Sequence, residues 1–354
     1  MNEVRIGLAG VGYWGSKLAR NIADGTGSRL AGICDPEPGR LSAVVDRYPG
    51  ARGFTDLAEM LASDEIDAVV LATPASRHHE HATAALEAAK HVLVEKPLAL
   101  NAADCRSIQL LAAERDLVAM VGHTFIYSEP VRMLRRLVVE GELGDLLYIY
   151  GQRLNLGVIR DDLNALWNFG PHDVSILLYL MGEAPVRVSA RQYCLLDRHL
   201  EDVAFVNLEF ANGAVGHIHL SWLDPRKVRE YTVVGDGKMA VYDDTDVEAP
   251  IRIYDKGVTK KGAFGADFDP ATPEGFGEFK LEVRAGDILI PRVQGREPLR
   301  VEIEHFAECV ANGAQPITDA AHGLEVVAIL EAAERSAAAG GAVVDLAVHE
   351  RPAA

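Results

Sequence analysis

No stretch of the chain approaches eighteen uninterrupted apolar residues, so no transmembrane helix is expected. The opening run Met1-Asn2-Glu3-Val4-Arg5-Ile6 leads straight into a strand pattern, without the charged head and apolar core of a signal peptide. Cysteine is scarce. Cys34, Cys105, Cys194 and Cys309 lie far apart with no paired spacing, which argues against a disulfide framework or zinc knuckle and for reduced thiols in the cytoplasm. Cations are also in deficit, with 35 Lys and Arg against 52 Asp and Glu and a formal net charge of −17. Such a surface disfavours nonspecific contact with nucleic acid or anionic membrane, so neither is expected as a partner. An acidic chain can still carry a local basic pocket for an anionic small molecule.

What the chain does have is length and a regular alternation. Its 354 residues exceed one ordinary domain and fit two, and its apolar and charged fractions are those of a globular protein. Val4–Ala9 reads as a strand, followed by Gly10-Val11-Gly12-Tyr13-Trp14-Gly15 and a helix carrying Leu18, Ala19 and Ile22. This is G-x-G-x-x-G in its proper setting, after a strand and opening a helix. Gly10 makes the tight turn, Gly12 lets the backbone approach a pyrophosphate, and Gly15 lets the helix pack close to the sheet. Tyr13 and Trp14 ride on the same turn and join the cofactor-binding set. A second strand, Leu30–Cys34, ends at Asp35, where a carboxylate meets the adenosine ribose hydroxyls and favours NAD over NADP. Arg40 is close enough in sequence to reach a 2′-phosphate, so NADP is disfavoured rather than excluded.

The alternation continues through a short helix over residues 56–62, a buried strand over 66–72 ending at Thr73-Pro74, and a helix over 81–90. Then comes the apolar run Val92-Leu93-Val94, which ends in Glu95-Lys96-Pro97. Pro97 has no ladder N–H, so the strand stops there and presents two charged side chains at its carboxyl end, where ligands bind in open α/β sheets. Asn101 is a good N-cap for the helix through Arg115, and residues 117–121 give another strand. Repeated βαβ units specify a doubly wound parallel sheet. Arg77-His78-His79-Glu80-His81 lacks the spacing of a zinc helix and reads as a solvated helix start, with His78 reaching the cofactor from the loop after Thr73-Pro74. No metal site is expected.

The second half reads differently. Residues 205–210 and 215–220 flank Asn212-Gly213, and 231–234 and 239–242 flank Gly235-Asp236-Gly237. Both are hairpin signals, and strands joined by hairpins make an antiparallel sheet. Residues 256–280 read as a long loop, and 302–311 and 323–339 as terminal helices. In Trp167-Asn168-Phe169-Gly170-Pro171-His172-Asp173, Pro171 suits the first position of a helix running to Met181. That places His172 in the first turn, where the dipole disfavours imidazolium and leaves a neutral base for a substrate hydroxyl. Asp173 either orients a neighbour or merely favours the helix start. Arg226 and Lys227, in a basic stretch after the first hairpin, are either substrate-binding cations or a solvated connection. His217 and His219 share a strand face without a third ligand.

Taken together, Gly10-x-Gly12-x-x-Gly15, Asp35, Ala72-Thr73-Pro74 with His78, Glu95-Lys96-Pro97 and His172-Asp173 resemble the Gfo/Idh/MocA family of NAD(P)-dependent oxidoreductases along essentially the whole chain. The resemblance implies an N-terminal Rossmann domain over residues 1–122. It also implies a C-terminal α+β domain over 123–354, built on a large, open, mostly antiparallel sheet through which homodimers or homotetramers form. It implies hydride transfer between NAD and a secondary alcohol of a sugar, cyclitol or nucleotide sugar, with Lys96 beside the reacting oxygen, His172 moving the proton and Asn168 placing substrate. Glu95 supports Lys96 or the nicotinamide ribose. Many relatives carry aspartate where this chain has Asn168, and an amide cannot stabilise imidazolium by charge. Inositol dehydrogenation, net elimination, hydrolysis or epimerisation through a transient ketone on retained NAD, and a non-catalytic dinucleotide or sugar sensor are the alternatives.

Overall fold

The computed structural model of the protein describes residues 3–157, 163–196, 199–261 and 280–346. Its contacts divide the chain into two compact units. One comprises residues 1–128, 166–176 and 295–335, and the other residues 129–165, 177–294 and 336–354.

The first unit is built on six parallel strands: β1 (Val4–Ala9), β2 (Ser28–Cys34), β3 (Arg52–Phe54), β4 (Ala68–Leu71), β5 (His91–Glu95) and β6 (Ala119–Gly122). Their spatial order is β3-β2-β1-β4-β5-β6, the doubly wound arrangement, whose order reverses between β1 and β4. Every residue of β4 is buried, as are the last four of β5, because helices cover both faces of a parallel sheet. Five helices link these strands: α1 (Gly15–Asp24), α2 (Pro38–Val45), α3 (Leu57–Leu61), α4 (His78–Glu87) and α5 (Ala102–Glu114). Asp56 caps α3 by accepting from Ala58 N, and Asn101 caps α5 by accepting from Asp104 N, as side-chain oxygens do at helix starts.

The second unit begins with α6 (Glu129–Val139) and β7 (Leu146–Leu154); of the next helix, α7 (Ala165–Met181), residues 166–176 belong to the first unit and the rest to the second. Strands β8 (Arg187–Tyr193), β9 (Val203–Glu209), β10 (Val215–Ser221), β11 (Val228–Gly235), β12 (Met239–Asp243) and β13 (Ile251–Tyr254) then run in succession. The two expected hairpins are β9–β10, with Gly213 at φ +87°, and β11–β12. A short pair, β14 (Gly257–Lys261) with β15 (Lys280–Arg284), occupies both ends of the stretch expected to be a loop, while residues 262–279 lie outside the described residues. With β16 (Ile288–Leu289) and β17 (Val344–Asp345) the main sheet has nine strands, ordered β16-β13-β12-β11-β7-β10-β9-β8-β17. Among the described strands of this sheet, β7 and β10 pair in parallel and every other neighbour is antiparallel.

Helices α8 (Pro298–Asn312) and α9 (Ala320–Ala338) lie between β16 and β17, and residues 295–335 belong to the first unit. Leu299, Ile303 and Phe306 bury one face of α8. Gly313, at φ +65°, ends α8 in the left-handed conformation that glycine adopts without strain.

Two local expectations need correction. Helix α4 starts at His78, not His81, and His78 is buried rather than solvated. Its two ring nitrogens lie 2.6 Å from Pro97 O and 2.9 Å from Thr73 O, partners that draw the ring inward and extend the helix by a turn. Helix α7 starts at Ala165, so Pro171 sits inside it and His172 is in its middle. The helix extends upstream because Ala165, Leu166 and Trp167 are buried and stabilise that first stretch. The cost is the missing amide opposite Trp167 O and crowding of the preceding turn. His172 therefore does not lie in the first turn of the helix, where the dipole would act on it.

Candidate active site

The glycine turn after β1 is shaped by backbone contact. Gly10 has φ +88°, and a β-carbon there would stand 2.6 Å from Ala72 O, at the end of β4. A β-carbon on Gly15 would meet Gly10 O at 1.9 Å, whereas one on Gly12 would meet nothing within 4 Å. The first and third glycines thus allow close packing, and the second leaves open space in the turn before α1. Asp35 is buried at the end of β2 and fixed there, with Oδ2 accepting from Val11 N at 3.0 Å and Oδ1 from Glu37 N at 3.0 Å. Arg40 Nε stands 3.4 Å from the same carboxylate on an exposed side chain. Tyr13 is exposed and accepts a hydrogen bond from Lys17 Nζ at 3.0 Å, a contact that lowers the phenol pKa. The open cradle at Gly12, the helix start and the buried carboxylate together fit a dinucleotide.

The ends of β4 and β5 are tied together. His78 sits between the carbonyls of Thr73 and Pro97; burial pulls its pKa down, and the two carbonyls oppose that. His81 Nδ1 lies 3.1 Å from Thr73 Oγ1. Both ring nitrogens of His78 are thus occupied by main chain, which makes the histidine a fastener of the two strand ends.

At the end of β5 the Glu95 carboxyl is almost fully enclosed. Oε1 accepts from the Trp14 indole N–H, and Oε2 accepts from Lys96 N at 3.2 Å. Burial raises the Glu95 pKa to about 7, against the lowering effects of the Lys96 charge and these two hydrogen bonds. Lys96 reaches in the other direction, where Nζ donates to Asn168 O at 3.2 Å. Asn168 is one residue past Trp167, so Lys96 meets α7 within the turn that Pro171 disturbs. His172 is four residues further along the same helix and hence on the same face as Asn168. Its ring packs edge-on against Phe125, with centroids 5.1 Å apart. Lys96, Asn168 and His172 are therefore brought together by one strand end and one helix face. Asp173 is wholly buried.

Arg226 and Lys227 are exposed on the connection between β10 and β11, in the second unit. On the sheet, His217 Nδ1 is 2.8 Å from Asn207 Oδ1, and His219 stacks on Phe205 at 4.4 Å. No group of three or more His, Cys, Asp or Glu suited to a metal ion occurs among the described residues.

Sequence reasoning missed a buried polar layer beside Lys96. Glu302 on α8 is fully buried and accepts from Thr124 Oγ1 at 2.9 Å. His123 at the end of β6 is buried against His322 with ring centroids 5.3 Å apart, and His322 Nε2 lies 3.4 Å from Ser175 Oγ. Burial, then His322 and Lys96, hold the His123 pKa well below its ordinary value.

Comparison with known proteins agrees with this architecture. Residues 4–123 match the model of an oxidoreductase family with an NAD-binding Rossmann fold, and residues 131–241 match the Gfo/Idh/MocA C-terminal domain. An uncharacterized oxidoreductase of Streptococcus pneumoniae is 30% identical over 223 residues, covering 59% of this chain and 60% of that protein. The scyllo-inositol 2-dehydrogenase (NAD(+)) of Bacillus subtilis is 27% identical over 343 residues, covering 92% of each chain. The solved structure of UDP-N-acetylglucosamine 3-dehydrogenase from Acidithiobacillus ferrooxidans superposes with a TM-score of 0.80 at 26% identity, covering 96% of this chain and 99% of that one. The match to the pneumococcal protein thus spans about three fifths of its length, whereas the other two are matched almost end to end.

Proposed function

The chain belongs to the Gfo/Idh/MocA family of oxidoreductases, and from that premise we propose that it is an NAD-dependent dehydrogenase acting on a secondary alcohol carbon of a sugar, cyclitol or nucleotide sugar. The observation that carries this reading is Lys96, fixed at the carboxyl end of β5 and held to Asn168 O, one helical turn from His172. A cation at that position stabilises the negative charge that develops on the substrate oxygen as its carbon is oxidised. His172 takes the hydroxyl proton and returns it in the reverse direction, and Asn168 positions the substrate through its amide. Bound NAD supplies the hydride acceptor. Gly10, Gly12 and Gly15 admit its phosphates, with Tyr13 and Trp14 on the same turn. Asp35 takes the adenosine ribose and discriminates against NADP. Thr73, Pro74 and His78 form the floor at the end of β4, and Glu95 supports the lysine.

In this reading residues 1–122 bind the dinucleotide and residues 123–354 carry substrate recognition and self-association. We assign Arg226 and Lys227 to an anionic group of the substrate, as a nucleotide sugar would present. The wide, unpaired spacing of Cys34, Cys105, Cys194 and Cys309 along the sequence supports a reducing, cytoplasmic setting. No described helix is long and apolar enough to cross a membrane.

The test follows nicotinamide absorbance while the purified protein and NAD meet nucleotide sugars, free sugars and inositols, with Asn168→Asp run beside the wild type. Reduction with one substrate class is expected, and Asn168→Asp should raise kcat about tenfold, by the one to two kcal/mol that a charge adds to a hydrogen bond with imidazolium. Absence of reduction by either protein across the panel, with dinucleotide bound, would sink the reading.

The exposed sheet face supports self-association. Tyr148 and Val215 are paired in register and 44% and 43% exposed, and Tyr150, His217, Phe205 and His219 extend the same face. Apolar and aromatic groups at this density mark an interaction surface. Sedimentation should show a dimer or tetramer that Tyr148→Asp converts to monomer; a wild type that is monomeric at micromolar concentration would refute the assignment.

A further inference from the structure

The Glu95 carboxyl is a meeting point for four segments of the first unit. The turn after β1 supplies the Trp14 indole N–H, and β5 itself supplies the Lys96 amide. Strand β6 supplies room: Gly122 pairs with Glu95 across the ladder, and a β-carbon at Gly122 would lie 3.3 Å from the Glu95 Cα, Cδ and Oε2. Helix α8 carries Glu302, which is within the influence of the Glu95 charge, is held by Thr124 at Oε2 and has no hydrogen-bond partner at Oε1 among the described residues.

Two buried carboxyls, one of which feels the charge of the other, do not both ionise at neutral pH. Burial and then the neighbouring Glu95 charge push Glu302 well above the usual carboxylate range, so Glu302 stands as the neutral acid. Glu95 is the member that titrates, and the charged group it faces is Lys96. His123, also within reach of the Lys96 charge, is kept neutral by burial.

The consequence concerns how Lys96 is held. Its amide is bound by Glu95 Oε2 and its Nζ by Asn168 O, so the carboxylate fixes the backbone end of the side chain and α7 the far end. What keeps the carboxylate from turning is the indole of Trp14, which stands on the turn shaped for the dinucleotide phosphates. We propose that Trp14 is a positioning residue for Lys96, acting through Glu95, so that placement of the lysine depends on the conformation of the dinucleotide-binding turn. The proposal rests on the reading of Lys96 given above. It assigns the Trp14 side chain a task separate from dinucleotide contact, and it gives Glu302 the part of a neutral wall behind the carboxylate.

The test uses the full-length protein with Trp14→Phe. The ring remains and only the N–H is lost, and since Trp14 is half-exposed the fold is retained, which an unchanged Tm verifies. Infrared titration of protein labelled at the glutamate carboxyl carbon, with Glu95→Gln to identify the band, reads Glu95 without any substrate. Wild type should titrate near 7. Trp14 donates a bond that lowers this value, so its loss should move the midpoint to higher pH, while a second carboxyl, absent from Glu302→Gln, remains protonated throughout. With a substrate from the panel, kcat should fall about tenfold, the effect of one hydrogen bond to a charged group, and its acidic limb should move to higher pH. The dinucleotide Kd should change by less than about threefold, since no phosphate contact is altered, and Trp14→His, which restores an N–H, should recover part of kcat. An unmoved Glu95 midpoint, or a loss confined to the dinucleotide Kd, would overturn the proposal. If Lys96→Met turns over like wild type, the reading of Lys96 fails first. If Lys96→Met is inactive and Trp14→Phe behaves as wild type, only the positioning role fails.

Discussion

Lys96→Met should lower kcat by about a hundred- to a thousandfold, the usual cost of removing one donor aimed at a developing oxyanion. Methionine keeps the apolar stem and removes the charge together with the donor to Asn168 O. The strand end itself should stand, because its fixtures do not involve the lysine side chain. His78 joins Pro97 O to Thr73 O, and the Lys96 amide still reaches Glu95. The dinucleotide Kd should accordingly stay within a few-fold of wild type. Removing the Lys96 charge also removes an influence that lowers Glu95, so the Glu95 midpoint should rise in this variant. Isothermal titration with NAD and steady-state kinetics on the same preparation separate the two effects. A variant that binds NAD and turns over normally would remove Lys96 from the chemistry.

Gly15→Ala should damage both fold and cofactor binding. A β-carbon at residue 15 would lie 1.9 Å from Gly10 O and 2.8 Å from Gly10 C, and these are backbone atoms with no rotamer to take up. Relief requires opening the turn between β1 and α1, at a cost of about 3 kcal/mol by analogy with overpacked cores. That corresponds to roughly a hundredfold in any equilibrium coupled to the turn. Thermal denaturation and NAD titration should therefore both move, with a lower Tm and a Kd about a hundredfold weaker. Gly12→Ala provides the contrast. Its β-carbon would meet no protein atom within 4 Å, so Tm should hold while the Kd for NAD rises, because the space it fills is the space a pyrophosphate needs. Equal loss of Tm in both variants would show that the central glycine also serves packing.

Much of the fold was legible because hydrophobic pattern and punctuation agree along the first half. Ala68–Leu71 and Val92–Val94 are continuous apolar runs bounded by proline or charge, and both are buried parallel strands. The two hairpins were equally plain from Asn212-Gly213 and Gly235-Asp236-Gly237. Pro171 misled, because proline at a helix start is the local preference, whereas burial of Ala165, Leu166 and Trp167 favours a helix that begins six residues earlier. His78 misled for a related reason: its partners, Pro97 O and Thr73 O, come from the ends of two strands and leave no trace in the local pattern.

The motifs are legible in the sequence, and the buried polar groups around them are not. Glu302 did leave a signal, a carboxylate among Leu299, Ile303 and Phe306 on the buried face of α8, where a charge is out of place. Nothing local in the sequence connected it to Glu95, about two hundred residues away. The Trp14–Glu95 bond is equally nonlocal, because it depends on β1 and β5 both flanking β4.

The central claim, that a hydride passes between a carbinol carbon and the nicotinamide, is tested most directly by isotope transfer. The protein is incubated with NAD and a substrate from the panel that is deuterated at the carbinol carbon, and the nicotinamide is analysed by mass spectrometry, with Lys96→Met as control. The prediction is one deuteron on the nicotinamide for each substrate oxidised, formed at least about a hundredfold more slowly with Lys96→Met. Substrate conversion with the deuteron still on its original carbon in every product, and none on the nicotinamide, would contradict the account.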